Sequence, residues 1–256
     1  MAKEKNLLLA KLNGAPEIFH SIQGEGKSMG RPSVFVRLSG CNLYCIWCDT
    51  DYTWNWKGTQ FVHQNDQLPD YEKFDKKDWT IKCTPKDIVD SILQFNCPNI
   101  ILTGGEPLLQ QDGLIELILA LRNRRADLHF EIETNGTLIP KHELDSLINQ
   151  YNVSPKLQNS NNSKKDREVP EAYQFFALNP KANFKFVLSD KEDLKEVRQL
   201  VEKYEISSQK IWLMPEGATQ ETLRQNRLWL VDLCKSEGYS YTDRLHIQIW
   251  GSKKGV

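Results

Sequence analysis

Apolar positions along the chain recur with two alternating periods. "SVFVRLSG" (33–40), "NIILTGGEP" (99–107), "LHFEIETNG" (128–136), "YNVSPK" (151–156), "NFKFVLSD" (183–190), "KIWLMPEG" (210–217) and "DRLHIQIWG" (243–251) read as short strands. Between them lie helical repeats. "TPKDIVDSILQFN" (84–96) opens with Thr84 as N-cap and Pro85 at the first helical position, with Ile88, Ile92 and Phe95 on one face. "DGLIELILALRNRR" (112–125) ends in cations that suit a helix C-terminus. "PKHELDSLINQ" (140–150), "DKEDLKEVRQLVEKY" (190–204) capped by Asp190, and "TQETLRQNRLWLVDLCKSEG" (219–238) stopped by Gly238 complete the series.

Strand–helix repetition with short links predicts parallel strands joined by right-handed crossovers. The expected architecture is an α/β chain folded as an incomplete (β/α) barrel, one domain over residues 1–256. Two stretches break the rhythm. Residues 55–82 are polar but carry aromatics, and read as either a lid or a solvated insertion. Residues 157–169, "LQNSNNSKKDREV", read as a flexible loop.

Charge narrows the function classes. The chain has 256 residues, 33 Lys+Arg against 34 Asp+Glu and a formal net charge of −1, so it offers no basic footprint for nucleic acid or an anionic membrane. The apolar run "LLLA" near the start is shorter than the roughly 7–15 residues of a secretory signal. A cytoplasmic protein is expected, where thiols stay reduced and clustered cysteines imply metal or redox chemistry.

Cys41, Cys45 and Cys48 form such a cluster, C-x3-C-x2-C, directly after the first strong strand; Cys83, Cys97 and Cys234 are scattered and read as buried apolar side chains. Zinc sites usually close with four ligands. An iron–sulfur cluster held by three thiolates leaves one iron open to a further ligand. In barrel-like folds chemistry gathers at the carboxyl ends of strands. The polar strand ends "TGGEP" (103–107), "ETNG" (133–136), "SPK" (154–156), "SD" (189–190) and "MPEG" (214–217) would then share one mouth with the cysteines.

Other residues read in two ways. "SIQGEG" (21–26) makes a glycine turn without the spacing of a dinucleotide fingerprint. Arg37, inside an apolar strand, must be paired: it makes a structural salt bridge or clamps a carboxylate. Thr103 ends a strand or meets a ligand. Asp49 and Thr50 form a turn or cap. Ser154, Pro155 and Lys156 form a loop, and Glu133 and Asn135 carry no assigned role. His20, His63, His129, His142 and His246 show no metal spacing and read as structural or exposed.

C-x3-C-x2-C with Trp47 before the last cysteine, followed by GGEP, resembles the radical S-adenosylmethionine (SAM) superfamily. "EIFHSIQGEGKSMGRPSVFVRLSGCNLYCIWCDT" (17–50), "LTGGEPLLQ", "IETNGT", "SPK" and "RLHIQIWGSKKGV" extend the resemblance to the 7-carboxy-7-deazaguanine synthase family. That resemblance implies a [4Fe–4S] cluster on Cys41, Cys45 and Cys48, SAM on its open iron, and Mg²⁺ bound through Thr50. It implies SAM contacts at Trp47, Cys48, Asp49, Gly105, Ser154, Pro155 and Lys156, and at Met214, Pro215, Glu216 and Gly217. Ile22, Gln23, Gly24, Arg37, Thr103 and Val256 would meet a pterin, with the last strand bringing Val256 back over the mouth. The implied reaction converts 6-carboxy-5,6,7,8-tetrahydropterin to 7-carboxy-7-deazaguanine with loss of ammonia. An external flavodoxin- or ferredoxin-like electron donor and a homodimer are implied as well. The alternatives are a radical SAM activase of a glycyl-radical enzyme and, in another class, a zinc-stabilised binding module.

Overall fold

The computed structural model describes residues 5–256. Its strands are β1 (Leu7–Leu12), β2 (Ala15–Pro16), β3 (Ile18–Ile22), β4 (Pro32–Leu38), β5 (Thr80–Cys83), β6 (Asn99–Gly104), β7 (His129–Thr134), β8 (Gln150–Val153), β9 (Ala182–Leu188), β10 (Ile211–Pro215) and β11 (Ser240–Tyr241). They form one sheet in the order β11-β10-β9-β8-β7-β6-β4-β1-β2, with β3 also on β4 and β5 also on β1. From β4 through β6 to β11 every pairing is parallel. The antiparallel strands gather at the N-terminal side, where β1 and β3 pair with β4 and β5 with β1. An incomplete (β/α) barrel results, as the strand–helix alternation predicts.

The helices are α1 (Lys76–Trp79), α2 (Pro85–Leu93), α3 (Gln111–Arg124), α4 (His142–Leu147), α5 (Lys164–Arg167), α6 (Pro170–Leu178), α7 (Asp193–Lys203), α8 (Gln220–Glu237) and α9 (Leu245–Trp250). Local chemistry sets several of their ends. Thr84 and Asp87 form a capping box at α2, with Pro85 just inside. Asp190 Oδ1 accepts the amides of Glu192 and Asp193 ahead of α7. Gly238 stops α8 at φ +69°.

Strand periodicity divides the sheet into two faces. Val36, Leu102, Ile132, Val153, Phe184 and Phe186 point outward into the apolar core under the helices. The alternate positions are polar and line the barrel interior. The pairing register aligns Arg37 with Thr103, Glu133 with Asn152, and Asn152 with Asn183. Buried parallel strands usually read as apolar throughout. Here each inner-face polar group needs a partner, and that requirement shapes the site.

Two sequence expectations change and a third is narrowed. The segment 243–251 is not a strand: the parallel edge is β11, and 245–250 is helix α9. The chain turns off the sheet because Thr242 Oγ1 takes the Gly26 amide and the Leu245 amide donates to the Gly24 carbonyl, drawing the segment across the barrel mouth. Residues 157–169 are not a loose loop: Leu157 and Ser160 are buried, and α5 and the start of the run into α6 lie within them. Residues 55–82 are exposed over much of 57–70, as a solvated insertion would be, but they are anchored rather than free. Phe74 and Trp79 pack edge to face at 4.8 Å between centroids, Tyr52 lies 5.3 Å from Trp79, and β5 zips the segment onto β1.

Phe184 is fully buried in the outer core. Phe184→Ala is expected to cost about 3–5 kcal/mol of unfolding free energy, read from the denaturant midpoint; a loss below about 1 kcal/mol would show that the outer face is not the stabilising one.

Candidate active site

Strands β4 and β6 meet so closely that side chains are excluded. Gly104 has φ +130°, and a Cβ there would lie 2.0 Å from the Leu38 carbonyl oxygen. A Cβ on Gly105 would lie 2.1 Å from the Gly40 oxygen. The Gly105 amide donates to Leu38 O (3.1 Å) and the Glu106 amide to Gly40 O (2.8 Å). The cysteine loop therefore leaves β4 already tied to the GGEP turn. Fully buried Glu106 extends the tie: its carboxylate accepts Leu108 N, Thr134 Oγ1 and Asn135 N. Burial pushes its pKa up, against these hydrogen bonds.

Cys41, Cys45 and Cys48 are free thiols on one cavity of about 280 Å³. Each sulfur accepts at least one hydrogen bond. Leu43 N lies 3.4 Å from Cys41 Sγ, Asn162 Nδ2 3.3 Å from Cys45 Sγ, and Trp54 Nε1 3.3 Å from Cys48 Sγ. Burial pushes all three pKa values up, that of Cys48 to about 12 with Asp49 adding to the rise. Without a cation to compensate their charge, these sulfurs stay protonated near neutral pH, and a bound metal would displace the protons. Three soft donors, with N–H groups already aimed at them, fit an iron–sulfur cluster.

The two irregular segments hold this loop. Ile46 N donates to Ser160 O, Tyr44 N to Asn162 Oδ1 and Trp47 Nε1 to Asn159 O. His63, 1% exposed, accepts the Asn65 amide on Nδ1, so its Nε2 carries the hydrogen and donates to Cys48 O at 2.9 Å.

Beyond the cysteines the cavity is lined by Ile22, Gln23 and Gly24, by Arg37 and Thr103, and by Val256. Trp47, Asp49, Thr50, Gly105, Ser154 and Lys156 line it too. Pro155, Met214, Pro215, Glu216 and Gly217 do not; Ala218 stands at that wall instead. Val256 arrives by way of α9 rather than a strand, and the segment from Ser252 onward borders the mouth. Lys254 Nζ sits 4.0 Å from the Tyr52 ring centroid and 5.0 Å from that of Trp79.

Arg37 is both paired and available. Its Nε donates to Glu17 at 2.9 Å, and Glu17 also accepts the Tyr52 hydroxyl. Its terminal nitrogens have no hydrogen-bond partner among the described residues.

Sequence reasoning missed five charged or titratable groups here. Glu133 takes Gln23 Nε2 at 2.9 Å and Thr103 Oγ1 at 2.7 Å. Glu25 joins Lys185 and Arg244, and Arg244 also pairs with Asp49. Burial pushes the Glu25 pKa up, but Lys185 and Arg244 outweigh it and hold the carboxyl far below its usual range. Burial lowers the pKa of His246, whose ring packs on Gly24 so tightly that a Cβ there would lie 2.2 Å from Nδ1. The glycines of QGEG signalled close approach, but nothing in the sequence named what approaches.

Replacing Cys41, Cys45 or Cys48 by Ala is expected to abolish iron uptake on anaerobic reconstitution, while Cys83→Ala, Cys97→Ala and Cys234→Ala retain it. Iron and sulfide analysis reads the outcome; an essential Cys83 or Cys97 would sink the three-thiolate assignment. Gly105→Ala, which must displace Gly40, should also lower iron content.

Comparison with known proteins agrees with this geometry. A model of the radical SAM superfamily matches residues 35–172. The chain is 38% identical over 244 residues to the 7-carboxy-7-deazaguanine synthase of Pyrobaculum aerophilum, covering 93% of this chain and 95% of that one. It is 33% identical over 268 residues to the synthase of that name from Rhodopirellula baltica, covering 100% and 91%. The crystal structure of QueE from Escherichia coli superposes with a TM-score of 0.64 at 23% identity over 94% of this chain and 95% of that chain, and so shares its fold. Superfamily membership brings with it a [4Fe–4S] cluster and SAM as cofactors. With its three cavity cysteines, its GGEP turn and relatives matched along nearly its whole length, the chain belongs to the 7-carboxy-7-deazaguanine synthase family of radical SAM enzymes.

Proposed function

We propose that this chain converts 6-carboxy-5,6,7,8-tetrahydropterin to 7-carboxy-7-deazaguanine with loss of ammonia. The observation that carries the reading is the convergence of the three cysteines with an inner-face row of Arg37, Thr103 and Glu133 on one cavity. Held by Cys41, Cys45 and Cys48, a cluster with SAM and an electron from an external flavodoxin- or ferredoxin-like donor would supply the radical chemistry that removes hydrogen from the substrate.

The protein's own residues bind and orient. The terminal nitrogens of Arg37 are positioned by Glu17 and left free for a bidentate grip on the substrate carboxylate. Gln23 is anchored, giving one Nε2 hydrogen to Glu133 and accepting the Glu25 amide on Oε1, which leaves its second Nε2 hydrogen for a pterin acceptor. Glu133 therefore offers the acceptor. Each of its oxygens takes one protein hydrogen bond and keeps a lone pair for a pterin amino or ring N–H. Lys156, held by Ser154 at 2.9 Å and 5.5 Å from the Trp47 ring, would face SAM together with that indole. The segment from Ser252 to Val256 would exclude water at the mouth.

Thr50 is our candidate for Mg²⁺. The neighbouring carboxylates are engaged, Asp49 by Arg244 and Asp51 by Tyr71 at 2.6 Å. A cation there would take one protein hydroxyl and otherwise substrate and water oxygens, a normal pattern for Mg²⁺. Among the described residues no helix is long and apolar enough to cross a membrane. A glycyl-radical activase is less consistent with a mouth bordered by the segment at residue 252 and beyond, since a partner protein's loop would have to enter there.

Anaerobic reconstitution followed by assay with SAM and carboxytetrahydropterin tests the reading; SAM cleavage with no deazaguanine product would overturn it. Arg37→Lys keeps a cation for Glu17 but loses the fork. It should raise the pterin KM by one to two decades, about 1.5–3 kcal/mol, with the SAM KM little changed. Deleting Lys254, Gly255 and Val256 should raise the pterin KM while iron content and Tm stay near wild type; an unchanged kcat/KM would remove the segment from the site.

A further inference from the structure

Arg244 reaches three walls of the cavity from one guanidinium. Nε donates to Glu25 Oε1 at 3.1 Å, one terminal nitrogen donates to the Gly217 carbonyl at 2.7 Å, and the other pairs with Asp49. The residue is 8% exposed. Asp49 directly follows Cys48, so that arm holds the cysteine loop. Glu25 directly follows Gln23 and Gly24, so that arm holds the turn that positions Glu133. Gly217 precedes Ala218 at the wall beyond β10.

Arg244 is one of several supports of the turn. Thr242 Oγ1 holds the Gly26 amide at 2.7 Å, the Leu245 amide donates to Gly24 O at 2.9 Å, and His246 fills the space beside Gly24. The second oxygen of Glu25 goes to Lys185 on β9. A buried guanidinium is tolerated only while its acceptors are in place. SAM bound against the cysteine loop would hold Asp49 on Arg244, keeping its set of acceptors complete and so favouring the conformation of Glu25 and Gln23 that presents Glu133. The same argument runs in reverse from the turn to the loop.

We propose that Arg244 is a positioning residue that couples the SAM side of the cavity to the pterin side, so that each ligand binds more tightly when the other is present. The inference rests on the ligand assignments under Proposed function. Linkage makes the effect reciprocal, with a typical size of about five- to a hundredfold. Lysine cannot replace arginine here, because one compact ammonium cannot span three diverging acceptors.

Binding tests this without turnover. With the cluster reconstituted and oxidised, so that SAM is not cleaved, the pterin Kd is measured by calorimetry with and without SAM. The wild type should bind pterin about tenfold more tightly with SAM, and Arg244→Lys should bring the ratio close to one, at unchanged iron content and Tm. Should Arg244→Lys lose iron or melt early, Asp49→Ala removes the single acceptor on the cysteine loop and, with SAM at saturating concentration, is expected to give the same collapse. A linkage that persists in the variant, or two ligands that bind the wild type independently, overturns the coupling. A wild type that binds SAM but not pterin overturns the ligand assignment itself, and the coupling with it.

Discussion

The contact between the GGEP backbone and the end of β4 is the constraint on which the site depends. Two carbonyls, of Leu38 and Gly40, lie where the Cβ atoms of residues 104 and 105 would be. Only glycine permits that approach. Once made, it fixes where Cys41 begins, and Glu106 carries the register on to Thr134 and Asn135. Asn135 then donates to Asn42 at 2.9 Å, closing a circuit back to the cysteine loop. Three strand ends, β4, β6 and β7, are thereby held in one geometry by backbone and fully buried polar groups, a preorganised frame for a cofactor whose chemistry the protein need not supply.

Polar residues on the inner face turn the barrel from a packed core into a site. Arg37, Glu25, Lys185 and Arg244 would each be costly inside a sheet if left alone. They are arranged as pairs with alternating sign, and the pairs join elements distant in the chain: Glu17 with Arg37, Glu25 with both Lys185 and Arg244, Arg244 with Asp49. Such networks contribute less to stability than apolar packing of equal volume. Stability comes from the opposite face, where Phe130, Phe184 and Phe186 are fully buried. The division lets the inner face be set by ligand chemistry.

Legibility in the sequence followed the range of the interactions. Helices α2, α7 and α8 were readable because Thr84, Asp190 and Gly238 act on neighbours within three or four residues. The cysteines and GGEP were readable because their spacing is local. "LHIQIW" misled because its alternation suits a strand as well as a short helix that buries mainly Ile247; the decision was made by hydrogen bonds to residues 24 and 26. Asn159, Ser160 and Asn162 looked like a flexible run because the polarity that suits a loop also suits a cradle for another loop's amides. Glu133, Lys185 and Arg244 stayed silent because their partners lie 27 to 219 residues away.

The aromatic stretch from Tyr52 to Trp79 ties the cavity wall to the insertion that follows it. Tyr52 has two functional surfaces. Its hydroxyl donates to both oxygens of Glu17, which orients Arg37, while its ring face receives Lys254 of the segment at the mouth. Phe74 and Trp79 complete the cage around that ammonium, at 5.6 and 5.0 Å, and pack against Tyr52 edge-on and tilted. A displacement of the ring would therefore loosen the Glu17–Arg37 pair and the covering segment together. Because Tyr52 lies four residues beyond Cys48, the same turn of chain also carries Trp54 to the Cys48 sulfur. One stretch thus ties the Cys48 sulfur, the Arg37 side chain and the segment at the mouth to a single aromatic wall, whose ring-on-ring packing gives it a rigidity that an unpacked loop of the same length would lack.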